Sequence, residues 1–409
     1  MSSSSQPRRA IRRPLVSATL AFVAIVLISV NLRPGATSVG PVLEELRSGL
    51  GMSAPVAGVM TALPGLCFAI AGALAIALAR RTGLTGGITL GVVAIVVGLV
   101  LRSLVGAVWL FLVLSVVALA GMAVGNVLVP AWIKRHAGDR DGLLMTLYSA
   151  GLTLGGSIGS LFAAPMAAQV AGGWRSALGV WALFALVALA PWVVITRREL
   201  RETADHRAPS EGPAARLIRS RTAWALCLYF GVQATNAYIQ FGWLPQIYRD
   251  AGLSAETAGV LTSVVAGLGV VGGLLMPGLV SRSPNLSWAM LVLGAIMAAG
   301  YLGLLVAPAS HPWVWAIMLG VAGWTFPAAI TMVTARTRDP HVTGQLSAFV
   351  QPAGYLFAAI GPLVVGVIHS ATGNWHLVII LLALSAIPMT AAGLLIARPR
   401  YVDEEIALP

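Results

Sequence analysis

Twelve times along this chain an apolar stretch of about 20 residues recurs, the length an α-helix needs to cross a hydrocarbon core ~30 Å thick. The stretches lie at about 16–45, 54–79, 87–105, 108–132, 143–168, 174–196, 222–247, 256–280, 286–307, 312–334, 345–369 and 375–396, separated by segments rich in Gly, Pro and charge. Inside lipid every backbone polar group must be satisfied within the spanning segment, so such stretches become helices. Composition agrees. Hydrophobic residues make up 58% of the 409 and charged residues 10%, with a mean hydropathy of +0.87, against roughly 25% charged in ordinary globular domains. The expected fold class is an all-α polytopic membrane protein with twelve transmembrane helices.

The loops test that count, because a missed helix would invert every later loop. With the amino terminus placed in the cytoplasm, 21 of the 26 basic residues fall on the inner side, in the segments around Arg8, Arg80, Lys134, Arg197 to Arg221, Arg282, Arg336 and Arg398. Arg47, Arg102, Arg175 and Arg249 fall at outer ends, and Arg33 alone is deeply embedded. This bias predicts both termini inside, in the cytoplasmic (inner) membrane. A cleaved signal peptide is not expected, since the first apolar run continues through Val30 with no small-residue cleavage site. The net charge of +12 does not point to nucleic acid, because the basic residues are scattered over short loops. Cys67 and Cys227 sit in apolar stretches as small hydrophobes and build no disulfide framework.

The longest charged stretch, RRELRETADHRAPSEGPAARLIRSR, separates two sets of six helices. The chain therefore divides into a tail at 1–14, a six-helix bundle at 15–196, a cytoplasmic linker at 197–221, a second bundle at 222–397 and a tail at 398–409. GMSAPVAGVMT at 51–61 aligns with GLSAETAGVLT at 252–262, each joining the first and second helices of its half. A duplicated pair of bundles places a solute site between the halves near the bilayer midplane.

Three segments, NLRPGATSVGP at 31–41, FGVQATNAYIQFGWLPQIYRDAGLSAETAG at 230–259 and GYLFAAIGPLVVGVIHSATGNW at 354–375, closely resemble the cyanate porter family of the major facilitator superfamily, which includes cyanate and 2-nitroimidazole transporters. The resemblance covers essentially the whole chain and implies an alternating-access transporter. The superfamily's loop signature between helices 2 and 3 is degenerate: ARRTGLTG at 79–86 keeps Arg81 and Gly83 but has Arg80 where an acid is expected.

Polar residues inside the spans mark the candidate site. Ser29, Arg33, Thr37 and Gly40 fall on one face of the first helix. A charge at the bilayer centre costs about 2.5–3.5 kcal/mol on insertion scales and is a functional candidate by default. Pro34 removes a backbone donor and predicts a kink that frees carbonyls beside Arg33. A planar guanidinium that stays charged suits a small planar anion such as cyanate, nitrate or a carboxylate. The structural alternative is an arginine satisfied by helix-end carbonyls or by a polar neighbour. Asn31 is grouped with Arg33 and Thr37. In the seventh helix Gln233, Asn236 and Gln240 share a face, with Tyr238 and Trp243 nearby. By the resemblance Gln233, Tyr238 and Trp243 follow the family, whereas Asn236 and Gln240 are peculiar to this chain and are expected to set solute selectivity. Asn126, Gln351 and Tyr355 complete the set, although Asn126 and Gln351 serve equally well as helix glue, such bonds averaging only about 0.6 kcal/mol.

The glycine runs at 151–159 and 354–361 are read as close helix packing, not phosphate loops, since the lysine and Ser/Thr of a nucleotide cradle are missing. No enzyme activity, cofactor or metal is expected. All fourteen acidic residues fall in loops, tails or helix ends, so no carboxylate relay is available, and His369 and His376 flank the last outer loop. Counterflow independent of a proton gradient is therefore expected. The leading expectation is a monomeric secondary or facilitative transporter of a small polar or anionic solute. The alternatives are an exporter of neutral drug-like compounds such as nitroimidazoles and a solute sensor that moves nothing.

Overall fold

The computed structural model describes residues 17–136, 140–201 and 214–407. The tail at 1–14 and residues 202–213 of the 197–221 linker lie outside the described residues. Among the described residues there is no strand. The α-helices are α1 (Ala18–Asn31), α2 (Pro34–Thr37), α3 (Leu43–Leu50), α4 (Ala54–Leu104), α5 (Val108–His136), α6 (Asp141–Gln169) and α7 (Trp174–Arg201), then α8 (Arg221–Asp250), α9 (Ala255–Arg282), α10 (Ser287–Val306), α11 (Pro312–Ala322), α12 (Thr325–Ala335), α13 (Pro340–Thr372), α14 (His376–Ala397) and α15 (Val402–Ala407).

Crossings and helices do not correspond one to one. α1 to α3 form a single broken crossing, as do α11 and α12. α4 is the reverse case. Its 51 residues would extend about 75 Å if straight, at ~1.5 Å per residue, far more than a bilayer holds, and the chain turns back at Gly83, whose φ of 76° and ψ of 166° are not helical. A side chain is strained there, which is the physical reason for a glycine at that position of the degenerate loop signature. Among the described residues, eleven stretches are long and apolar enough to span a membrane. α8 makes twelve crossings. It is less apolar because it carries Gln233, Asn236, Gln240 and Gln246, all buried.

Large apolar side chains such as Ile70, Trp109, Leu183, Leu274 and Ile387 are exposed on the outer faces of the helices, as expected of faces turned to lipid. The helices before and after the linker meet along two seams, α4 against α13 and α6 against α9, and α8 also rests on the 3-10 turn at Gly40–Val42. Small residues let the backbones approach: a Cβ on Gly65 would stand 2.8 Å from the backbone nitrogen of Ala359 across the first seam.

Within the tail at 398–409 the described residues are tied to the helices. Val402 is fully buried, and α15 lies against the ends of several helices. The Asp403 carboxylate accepts from the backbone N–H of Arg338 and of Asp339 at 2.9 and 3.0 Å. Glu405 accepts from Ser220 Oγ, from Thr222 Oγ1 at 2.7 Å and from Thr222 N at 3.0 Å, capping the start of α8. On the opposite face Arg249 on α8 pairs with Glu45 on α3 at 2.9 Å.

Candidate functional site

The site begins with the break in the first crossing. Pro34 has no N–H to continue α1 and its ring excludes the preceding turn's carbonyl, so α1 stops at Asn31 and Arg33 sits between helices with φ −125° and ψ −40°. The carbonyl of Arg33 itself is not freed: it accepts from the N–H groups of Ala36 and Thr37 at 2.9 and 3.1 Å. Val39 N–H bonds Ala36 instead of Gly35, and the Gly35 carbonyl is taken by Arg102 Nη2 at 2.8 Å. Thr37 Oγ1 donates to Gly156 O at 2.9 Å and Ser160 Oγ to Thr37 O at 3.3 Å, stapling α2 to α6 and fixing the position of Arg33.

The guanidinium of Arg33 lies 5.4 Å from the centroid of the Phe68 ring, within the range of a cation–π contact. The hydroxyls of Tyr238, Tyr355 and Tyr148 stand around it within electrostatic reach. None of these is an ideal hydrogen bond, and the buried Tyr238 hydroxyl has no partner of good geometry. Tyr148 donates to Asn126 Oδ1 at 3.0 Å. The Tyr355 ring stacks at an angle against Phe68 (5.6 Å) and Tyr238 (6.2 Å). Arg33, Phe68 and Tyr148 come from helices before the linker, and Tyr238 and Tyr355 from α8 and α13 after it, so the guanidinium stands at the seam between the two sets. Among the described residues no carboxylate pairs with Arg33. A cavity of about 30 Å³ beside it is lined by Arg33, Thr37, Thr61, Phe68, Tyr238 and neighbouring backbone, room for about two waters.

Of the expected site residues, the structure brings together Arg33, Thr37, Tyr238 and Tyr355, with Asn126 one step removed through Tyr148. Gln351 lies one turn from Tyr355 on α13 and donates to Ser347 Oγ at 2.7 Å. The others point elsewhere. Asn31 Nδ2 donates to Leu27 O and to Phe184 O on α7. Gln233 Oε1 accepts from Thr325 Oγ1 at 2.5 Å, bracing the break between α11 and α12. Trp243 Nε1 donates to Pro362 O on α13 at 3.2 Å. Asn236 and Gln240, expected to set selectivity, face away from the cavity: Asn236 Oδ1 accepts from Tyr301 OH and Gln240 Nε2 donates to it, both at 2.8 Å, while Asn236 Nδ2 donates to Ser385 Oγ at 3.1 Å. This network ties α8 to α10 and α14.

Phe68 and Tyr148 are additional neighbours of Arg33 that periodicity alone does not single out, because aromatic residues in spanning helices are usually packing. Arg102 lies in the last turn of α4, as its sequence position suggests, and is fully buried there.

Residues 21–362 match the family model described as Major Facilitator Superfamily. The chain is 32% identical over 358 residues to the cyanate transport protein CynX of Escherichia coli (strain K12), covering 87% of this chain and 91% of that protein. It is 31% identical over 385 residues to the 2-nitroimidazole transporter of the same organism, covering 93% and 96%. Among solved structures, an inward-facing, unoccupied bacterial homologue of the human lysosomal transporter Spinster superposes with a TM-score of 0.71 at 19% identity, covering 93% of this chain and 95% of the other.

Proposed function

This chain belongs to the major facilitator superfamily and is a multi-pass membrane transporter, and from that premise we propose that its solute is a small anion bound at Arg33. The observation that carries this reading is the environment of that guanidinium: a half-buried cation at the seam, ringed by neutral hydroxyls and aromatic faces, with no carboxylate partner among the described residues. A charge left unpaired in a low-dielectric interior is costly, and a solute carboxylate, cyanate or comparable anion supplies the counter-charge while accepting from a planar donor fork. The cavity's volume of about 30 Å³ suits a solute of a few atoms better than the roughly 300–1,000 Å³ of drug-sized pockets. Binding by neutral groups from both sets of helices lets the solute draw them together and be released when they rock apart. The basic face is assigned to the cytoplasm, with 15–196 and 222–397 as the two moving bundles and the monomer as the working unit.

The test is counterflow of cyanate in proteoliposomes. Arg33→Lys keeps the charge but loses the fork; it and Arg33→Ala are expected to lose binding by at least roughly tenfold, as for a lost charge-assisted bond of ~1.5–3 kcal/mol. Unchanged binding in both variants would sink the assignment.

A second reading has its own observation. A cleft of about 310 Å³ between α8, α13 and α14, lined by Leu228, Asn236, Ile360, Leu381 and Ser385, opens on the lipid-facing side and is large enough for a neutral nitroimidazole-like compound. Its polar atoms are already bonded to one another, which ranks this reading second.

A further inference from the structure

Arg102 is a second intramembrane arginine that the solute site as described does not use. It is fully buried, its Nη2 donates to the carbonyl of Gly35, and its Nε and Nη1 are buried without any hydrogen-bond partner. The Phe111 ring lies 6.0 Å from its guanidinium carbon, and no carboxylate pairs with it among the described residues. Gly35 is two residues beyond Arg33, in the broken part of the first crossing, and lines the same cavity.

A hydrogen bond to one carbonyl does not account for an arginine here. A neutral donor could hold Gly35 without the cost of burying a charge, and replacing a buried ion by an apolar group of similar size is often neutral or stabilising. What only the arginine supplies is a permanent positive charge behind the cavity wall, in a setting of low dielectric where its field is weakly screened. We propose that Arg102 is a positioning and specificity-determining residue: it clamps the Gly35 carbonyl so that Arg33 faces the cavity, and its charge makes the cavity select anions over neutral and cationic solutes. This deepens the anion reading and rests on it.

The first experiment needs no knowledge of the solute. Thr61 is buried and lines the cavity, so Thr61→Cys is introduced with Cys67 and Cys227 replaced by serine, and the thiol is reached only in the open state of the cycle, since the closed cavity of about 30 Å³ does not admit the reagent. The rates of modification by an anionic and by a cationic methanethiosulfonate are then compared. The anionic-to-cationic ratio is expected to fall roughly tenfold in Arg102→Gln, which keeps an N–H for Gly35, and to stay near the parent value in Arg102→Lys. Should the glutamine variant not give monodisperse protein, Arg102→Met, which removes the unpaired donors altogether, carries the same comparison. An equal ratio in the parent, Lys and Gln (or Met) proteins overturns the proposal. Counterflow of cyanate provides the second arm: Arg102→Gln should raise KM roughly tenfold with little change in kcat, with Arg102→Lys restoring it. If cyanate fails to exchange in the parent protein, the anion reading at Arg33 fails, while the thiol ratios still decide the role of Arg102.

Discussion

Asn236 and Gln240 show what spacing conveys about single residues and what it leaves out. Their separation places both on one face of α8, but spacing does not say which neighbour that face meets. The neighbours are Tyr301 and Ser385, and the hydrogen bonds are satisfied within the helices. Asn236→Leu and Gln240→Leu are therefore expected to lower thermal stability in detergent by about 0.6–1.7 kcal/mol per lost bond, with the preference among solutes unchanged. A shift in preference at unchanged stability would return them to the site. Arg33 was legible for a different reason: a charge inside a long apolar run is conspicuous whatever surrounds it. Phe68 and Tyr148 were not, because they reach the guanidinium only through the packing of α4 and α6 against the first crossing, and Arg102 was hidden by its place near the end of a span.

Among the elements, the twelve crossings were legible because each is a predominantly apolar run of spanning length, whereas two features of their course were not. The tenth crossing breaks at Gly323–Trp324, where Trp324 Nε1 donates to Leu268 O at 2.9 Å, a tertiary bond with no local signature. α15 reads in sequence as a charged tail, yet its acids meet the exposed N–H groups at helix starts, where negative charge is favoured. Burial pushes the Asp403 carboxyl up, but the N–H groups of Asp339 and Arg338 outweigh it and hold it below its ordinary value. Burial acts on Glu405 in the same sense and is outweighed by Ser220 and Thr222. Since both acids titrate lower in the folded protein, their contribution is complete above the ordinary carboxylate pKa of about 4 and disappears as pH falls through the lowered values. Residues 398–409 are thus expected to become sensitive to an acid-active protease such as pepsin only below about pH 4, and Glu405→Gln to let trypsin cut after Arg400, at the Arg400–Tyr401 bond, already at pH 7. Equal cleavage of parent and variant at pH 7 would show that the capping does not hold α15 in place.

At the scale of the whole molecule, two sets of helices close around a guanidinium, joined on one face by Glu45 and Arg249 and lined along the seams by small residues. The duplicated plan was legible from one short repeat, but the way the seams bring tyrosines from α8 and α13 up to Arg33 depends on packing over more than 200 residues of chain. The absence, among the described residues, of any carboxylate beside Arg33 has an electrical consequence. With an anion bound the Arg33 guanidinium is neutralised, and without one its charge is left uncompensated, while Arg102 near the end of its span contributes the same charge to both forms, so the step more sensitive to voltage is the return of the empty carrier. A membrane potential of 100 mV acts on one elementary charge with about 2.3 kcal/mol, enough to make that return the slow limb of a net cycle. Imposing a potassium diffusion potential with valinomycin should therefore change net flux several-fold and leave one-for-one exchange almost untouched. Equal voltage sensitivity of the two would place the moving charge in the loaded carrier instead. Such a carrier is rectified by its own vacancy: it trades solute freely in either direction and moves it without exchange only when the membrane voltage returns the unoccupied form.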